Sequence, residues 1–189
     1  MATPIVLLNA NVLYPAALRD LLVRLAIAGA MEARWTDTIH DEWTRNVLAN
    51  RPDLSRERIE RTRDLMNAAV PDCLVTGYEP LIETLSLPDP DDHHVLAAAI
   101  RSGAELILTF NARDFPTPAL ALHDLVIQHP DEFVLRLLDE SELAVREAAR
   151  RHRAALRNPP KSVDDYLATL AEAGLKQTVV RLRLFAHEL

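Results

Sequence analysis

The chain has 189 residues, of which 49% are hydrophobic and 26% charged, and its formal net charge at pH 7 is −7. This composition predicts one folded domain with at most a small appendage, and it excludes a disordered chain and a simple basic nucleic-acid binder. One cysteine, no apolar run of membrane-spanning length and no leader of signal-peptide form together indicate a cytoplasmic protein with no membrane partner.

Five short apolar runs in the first 130 residues alternate with helical patterns. Strands are predicted over residues 4–8, 33–36, 73–76, 106–109 and 125–127. Helices are predicted over residues 16–28, 38–50, 55–69 and 92–102, with Ser55 as an N-cap and Gly103 just past the last of them. This alternation predicts an α/β fold built on a mainly parallel sheet.

The pattern changes at Pro130, after which no further strand is predicted. Helices are expected over residues 131–139, 141–157 and 163–173, and the break at residues 158–160 is the sequence Asn-Pro-Pro. Ser162 is placed to start the third of these helices and Gly174 to end it. We therefore predict a sheet domain over residues 1–130 and a helical extension over residues 131–189.

The net negative charge of the chain comes entirely from the first of these regions. Residues 1–130 contain 18 acidic and 11 basic side chains, whereas residues 131–189 contain ten of each. The basic residues of the second region include a cluster of five arginines: Arg146, Arg150, Arg151, Arg153 and Arg157. Such a distribution allows a cation-dependent site beside a surface for an anionic polymer, although a solvated helix face explains the arginines equally well.

Four separate places in the sequence carry the polar side chains that a site at the sheet edge would use. Asn9 follows the first strand, and Glu42 lies in the helical stretch WTDTIHDEWTRNV. The run DPDD ends in Asp91 and Asp92 just before HHVLAAAI. Asn111 and Asp114 follow the fourth predicted strand, in the stretch TFNARDF. In a doubly wound sheet, the carboxyl ends of the strands would bring these places together.

Each place also has an ordinary structural explanation. Asp91 and Asp92 precede an apolar helix, where aspartate is a common cap, and Asp91 is the residue expected to cap it. Asn111 and Asp114 fit a turn, and Glu42 fits an exposed helix face. Taken together, however, oxygen donors of this kind suit Mg²⁺ or Mn²⁺, which can activate water for attack on a phosphodiester.

The ordered set VLLNANVLYP, DEWTRNV, DPDDHHVLAAAI and GAELILTFNARDF resembles the PIN-domain family, and within it the VapC-type ribonuclease toxins. The later stretches DEFVLRLL and ALRNPPKSVDDYLATLAEAGL resemble the helical tail of one subgroup. The resemblance implies a doubly wound, five-stranded parallel sheet with helices on both faces. It also implies a Mg²⁺- or Mn²⁺-dependent endoribonuclease, a homodimer, and a cognate antitoxin that occupies the site.

By the same resemblance, Glu42 matches the active-site glutamate, Asp92 the acid that begins the crossover helix, and Asp114 the final acid. Asp91 competes with Asp92 as a metal ligand. Asn11 and Asn111 match polar positions beside the acids, where they would contact substrate, and Arg150 and Arg151 would contact RNA phosphates.

Asn9 is where this sequence departs from the family, which has aspartate at that position. An amide has nearly the same shape as a carboxylate, but it has no negative charge and coordinates Mg²⁺ weakly. Catalysis by this chain is therefore expected to be impaired. Two origins are open, an introduced substitution and a natural member with reduced activity; the otherwise intact set of acids favours the first.

Two other functions are open from the sequence. A non-catalytic PIN-like module that binds RNA or a regulatory protein partner is favoured by Asn9 and disfavoured by the retained acids. A phosphatase-type metal hydrolase is the weaker alternative, because it usually needs an aspartyl nucleophile after the first strand and this chain has Asn9 there.

Overall fold

The structure is a computed structural model that describes residues 3–189. Its centre is a parallel sheet of four strands: β1 (Ile5–Leu8), β2 (Glu32–Arg34), β3 (Leu106–Leu108) and β4 (Val126–Gln128). The strands lie in the order β2-β1-β3-β4. The first seven helices are α1 (Ala10–Leu13), α2 (Ala16–Ile27), α3 (Asp37–Asn50), α4 (Arg56–Ala69), α5 (Glu79–Ile82), α6 (His93–Ser102) and α7 (Thr117–Ala121). They flank the sheet, which confirms the predicted α/β class.

The two central strands, β1 and β3, form the middle of the core. Val6 pairs with Leu106 and Leu8 with Leu108, and all four side chains are buried. Strands covered on both faces are continuously apolar, which is why these two runs were recognisable in the sequence. The chain leaves β1 toward β2 on one side and returns to β3 on the other. The residues just after β1 and β3 therefore border the crevice where ligands bind in open α/β sheets.

The fifth strand that the resemblance implied is reduced to a single bridge. Leu74 lies beside Trp35 in a parallel bridge, and the only ladder hydrogen bonds there join Trp35 to Cys73 and Val75 at 2.9 Å each. Left-handed backbone at Asp72 (φ 54°) and Gly77 (φ 72°) turns the chain on both sides of this contact. The extended segment is therefore too short to form a strand.

Most predicted helix ends are confirmed. Ser55 caps α4 by accepting a hydrogen bond from the Arg58 N–H at 3.3 Å. Gly103 follows α6 in the left-handed region with φ 64°. The second region contains α8 (Pro130–Glu140), α9 (Glu142–Ala155), α10 (Val163–Glu172) and α11 (Lys176–Leu182). Ser162 caps α10, as predicted, through the Asp165 N–H at 3.1 Å.

The helices of the second region pack on one another and on the sheet domain. The buried Asp131 carboxylate of α8 accepts the N–H groups of Gln177 and Thr178 at 2.8 Å each, and so caps the start of α11. The turn at Gly174 lies against the Phe110 ring, because a Cβ added there would be 2.7 Å from Cε1 of that ring. Over residues 3–189, no helix is both long enough and apolar enough to cross a membrane.

Candidate active site

The Thr109 hydroxyl is the centre of a hydrogen-bond network at the carboxyl edge of β1 and β3. Its oxygen accepts a hydrogen bond from Nδ2 of Asn11 at 2.8 Å and from the backbone N–H of Asn111 at 3.1 Å. The side-chain oxygen of Asn11 in turn accepts the Phe110 N–H at 3.2 Å. The turn after β1 and the loop after β3 are therefore joined as one unit.

Asn9 is buried in this network, with 6% of its surface exposed. Its Oδ1 accepts the N–H of Ala10 at 2.6 Å and so caps the short helix α1. Its Nδ2 donates to the Thr109 hydroxyl at 3.3 Å. Both ends of the amide are therefore used, which fixes its orientation.

Glu42 is held by a rigid helix, α3, whose inner face carries a buried polar network. Trp43 Nε1 donates to His40 Nδ1 at 2.9 Å. His40 Nε2 therefore carries the ring proton and donates to Asn67 Oδ1, also at 2.9 Å. Burial lowers the pKa of His40 below its ordinary value, which keeps the ring neutral. With His40 and Trp43 fixed on either side of it in sequence, Glu42 has a defined place on the helix.

The Glu42 carboxylate contacts His94 in the first turn of α6. His94 Nε2 lies 2.8 Å from Glu42 Oε1, and the two side chains are 12% and 27% exposed. The neighbouring His93 makes a different contact, in which its Nε2 accepts the N–H of Leu87 at 3.1 Å. The two histidines therefore have separate partners, because adjacent residues on a helix point in different directions.

Asp92 is the acid whose pKa is shifted by the other charges of the site. Partial burial raises the pKa of its carboxyl to about 6, and the negative charges of Asp114 and Asp89 act in the same direction. His94 lowers this pKa by less than either of them, and Glu42 raises it by less still. A carboxyl whose pKa is raised by burial and by like charges is typical of functional sites. Asp114 and Glu42 therefore lie close enough to Asp92 for their charges to repel it.

Asp91 does not have the predicted capping role. Asp89 is the cap, because its Oδ1 accepts the Asp91 N–H at 2.9 Å and starts a 3₁₀ turn over Pro90–Asp92 that leads into α6. Proline at the first position of that turn leaves the Asp89 side chain as the nearest acceptor for the free N–H groups. The Asp91 side chain is exposed, whereas Asp92 is partly buried. The structure thus favours Asp92 over Asp91 as the inward-facing acid.

The loop after β3 carries the remaining predicted residues. A 3₁₀ turn over Ala112–Asp114 places Asp114 in a partly buried position, and Asn111, just before the turn, is exposed. The structure thus joins Asn9, Asn11 and Asn111 through Thr109. It also places Asp114 and Glu42 near enough to Asp92 for their charges to act on it.

The donor chemistry of this edge fits a hard divalent cation better than a softer metal. Its donors are carboxylate and amide oxygens, which Mg²⁺ and Mn²⁺ prefer, and the mutual repulsion acting on Asp92 is what a bound cation would relieve. Within residues 3–189, no three His, Cys, Asp or Glu side chains stand in a chelating arrangement. Asn9, at the position where the resemblance implies the first acid, has an amide side chain and so does not belong to these four residue types.

Arg150 and Arg151 are not part of this edge. Both form ion pairs with Glu147, with contacts of 2.7 Å and 2.6 Å. Arg151 lines a hollow with Ile27 and Ala28, at the end of α2 that points away from Asn9. Their charge is therefore shared with an acid on the same helix, and an RNA-contacting role for them stays a prediction.

A separate cavity of about 550 Å³ lies between α2, α4, α9 and α10, away from the acids. Its mainly apolar wall contains a polar group in which His152 Nε2 contacts Asp20 Oδ2 at 3.1 Å and the Tyr166 hydroxyl donates to His152 Nδ1 at 3.2 Å. Burial lowers the pKa of His152. None of the predicted site residues lines this cavity.

Two residues of the site were missed by sequence reasoning. Thr109 is the last residue of a predicted strand, although a polar residue after a buried apolar run at a sheet switch point is itself a signal. His94 has no signal in the sequence, because its contact with Glu42 joins residues far apart in the chain.

Comparison with known proteins gives two family matches and one relative. The PIN domain matches residues 5–113, and the VapC50 C-terminal domain matches residues 130–184. A protein of Mycobacterium tuberculosis named "Putative ribonuclease VapC50" is 36% identical over 109 residues. That match covers 58% of this chain and 64% of the length of the relative. No solved structure matches the chain.

Proposed function

The chain belongs to the PIN-domain family, and from that premise we propose that it is an endoribonuclease of the toxin–antitoxin type, hydrolysing RNA phosphodiesters with Mg²⁺ or Mn²⁺. The observation that supports the proposal is that the charges of Asp114 and Glu42 act on Asp92, together with the hydrogen-bond network of Asn9 and Thr109 at the switch point of the sheet. The named activity of the matched M. tuberculosis protein supports the same reaction class.

In this proposal, Glu42, Asp92 and Asp114 hold the cation, with Asp91 as an exposed outer candidate and Asn9 as a weak oxygen donor. When bound, the cation would lower the pKa of the attacking water and place positive charge next to the phosphate. Water adds to phosphorus, the bond from phosphorus to the 3′ oxygen breaks, and that oxygen leaves with a proton. Asn11 and Asn111 lie beside these acids and are the proposed substrate contacts.

The weak point of the site is Asn9. Its Oδ1 is already engaged by the Ala10 N–H at 2.6 Å, and its Nδ2 offers a donor where a cation needs an acceptor. We therefore propose that catalysis by this chain is impaired. An aspartate at position 9 would keep the Ala10 contact, and rotation of the Thr109 hydroxyl proton would turn that group from acceptor into donor. The substitution Asn9→Asp therefore needs no change of the backbone.

The partners we propose are RNA as substrate, a cognate antitoxin, and a second copy of the chain in a homodimer, with the cytoplasm as location. They rest on membership of the family and on the name of the matched relative. Among these proposals, the contact between RNA and the arginine cluster has the least support, because Arg150 and Arg151 are paired with Glu147.

One observation favours a second function, a non-catalytic module that binds RNA or a regulatory protein. Both ends of the Asn9 amide are satisfied within the network, so the asparagine is accommodated without an unpaired buried group. The chain with Asn9 is thus a well-formed structure, as a binding protein requires.

The deciding experiment compares RNA cleavage by the chain and by Asn9→Asp, with Mn²⁺, Mg²⁺ or a chelator. We expect the aspartate form to cut at least about 100-fold faster, because a new carboxylate completes the ligand set, and the chelator to abolish the difference. Absence of cleavage by both forms would favour the binding module. Equal cleavage by both would mean that Asn9 is not a limiting ligand.

A matched pair of acids controls for general loss of charge. In the Asn9→Asp background, Asp92→Asn should abolish cleavage, whereas Asp91→Asn, one residue away and exposed, should keep at least a third of it. The reverse ranking would exchange the two assignments.

A further inference from the structure

The contact between His94 and Glu42 has the geometry of a support for a ligand. Nε2 and Oε1 are 2.8 Å apart, and both side chains are mostly buried. The closest approach of the two side chains is to Oε1 of the carboxylate. A short contact between a ring nitrogen and a carboxylate oxygen restrains the rotation of the carboxylate.

The chemistry of the contact determines which ring nitrogen carries the proton. A carboxylate only accepts hydrogen bonds, so His94 must have its proton on Nε2. Nδ1 is then buried, and within residues 3–189 it has no hydrogen-bond partner. Folded proteins rarely leave a buried nitrogen unpaired, and such an exception calls for an explanation. Here the orientation of the ring brings Nε2 to Glu42 and leaves Nδ1 without a partner.

The position of His94 ties two of the proposed ligands to each other. It lies two residues after Asp92, in the first turn of α6, whereas Glu42 lies on α3. Its bond to Glu42 is therefore a bridge between the element that carries one acid and the element that carries another.

We propose that His94 is a positioning residue, which holds Glu42 through Nε2–H so that the carboxylate is already oriented for a divalent cation. The inference rests on the proposed function, since it assigns a support to one of its ligands. Partners that orient metal-ligating carboxylates typically change metal affinity by about 10- to 100-fold when they are removed.

The test measures Mn²⁺ binding by calorimetry or by electron paramagnetic resonance, and needs no cleavage assay. In the Asn9→Asp background, His94→Leu should weaken Mn²⁺ binding by about 10- to 100-fold. His94→Gln should stay within about threefold, because its side-chain N–H₂ reaches the place of Nε2 and can donate to Glu42. His93→Gln, which alters the adjacent ring but not the Glu42 contact, should also stay within about threefold.

The outcomes separate this inference from the proposal on which it rests. If Asn9→Asp itself does not bind Mn²⁺, the metal-dependent function falls and this inference falls with it. If it binds and His94→Leu binds equally well, only the role of His94 is wrong. Tighter binding by His94→Leu would also overturn the role, because it would mean that the bond holds Glu42 away from the cation. Should His94→Leu not fold, equal loss of affinity in His94→Gln and His93→Gln would overturn it.

Discussion

The sheet region, residues 5–128, and the helical region, residues 130–189, both contain ion pairs, and the acids at the carboxyl edge of the sheet differ from these pairs. In the helical region the acids and bases pair with one another, as Arg181 does with Asp139 at 2.9 Å and Arg183 with Asp164 at 2.8 Å. At the edge of the sheet, the repulsion between Asp92 and Asp114 is opposed only by a smaller effect of His94. Charge that is left uncompensated inside a fold costs stability, so its presence marks a site more clearly than the number of charged residues does.

Helix α2 packs on α9, and a second contact between the two regions lies at Phe110, where the largest effect is expected. Gly174 has φ 103°, and a Cβ added to it would lie 2.7 Å from Cε1 of the Phe110 ring, which also packs edge-on against His129. We expect Gly174→Ala to lower the free energy of unfolding by about 2–3 kcal/mol, measured by urea denaturation, because backbone strain and overlap add.

Gly29→Ala is the matched control for this contact. Gly29 also has positive φ, at 74°, but a Cβ there would meet nothing within 4 Å, so only backbone strain of about 1 kcal/mol is expected. Adding Phe110→Leu to Gly174→Ala should recover part of the loss. Equal losses in Gly174→Ala and Gly29→Ala would show that Phe110 does not connect the regions tightly.

A smaller effect, of opposite sign, is expected from removing the charge of Asp92. Because the folded-state pKa is raised from 3.8 to about 6, the folded state binds the proton more tightly than the unfolded state. Stability should therefore fall as the pH rises from about 4 to 6. Asp92→Asn should abolish this fall and gain about 1 kcal/mol at pH 7 in a chelator, less than the full shift implies because water screens a partly exposed carboxyl.

The comparison between variant and parent cancels the titration of buried histidines such as His40 and His152. Denaturant midpoints should be measured from pH 4 to 8, with Asp91→Asn, at an exposed position, staying within about 0.5 kcal/mol of the parent throughout. A stability gain that does not depend on pH would show that repulsion at Asp92 is not its source.

The smallest effect is expected from the paired arginines. Neutralising Arg150 and Arg151 together, as glutamines, should leave RNA affinity and its salt dependence within about twofold, because the charge they lose is already shared with Glu147. Glu147→Gln should likewise leave RNA affinity within about twofold, because the proposed RNA site is at the edge of the sheet. A tenfold loss on removing the arginines would place RNA on the helical region.

What the sequence predicted correctly was local in origin. The buried runs of β1 and β3, the caps Ser55 and Ser162, and the turn at Gly103 all follow from residues within a few positions of one another. The missing strand also has a local cause, the left-handed turns at Asp72 and Gly77. Glycine marks such a turn clearly, whereas aspartate marks it only weakly, so the first turn was hard to predict.

The site itself was predictable only as a list of residues. Its order along the chain indicated that Asn9, Glu42, Asp92 and Asp114 belong together, but not how. The Asn9–Thr109 hydrogen bond joins positions 100 residues apart, and the role of His94 depends on the packing of α3 against α6. Contacts of this range are set by the tertiary fold and leave no periodic trace in the sequence.

The joint between β4 and α8 has a mechanical consequence. Only His129 lies between them, and its ring both accepts the Asp131 N–H at 3.1 Å and packs against Phe110 with the ring centroids 5.1 Å apart. The start of the helical region is therefore fixed to the sheet by this ring and is not attached through a flexible linker. A force applied to the far end of the helical region would act through His129 and Phe110 on the loop that carries Asp114, so the two regions should respond to a load as one body.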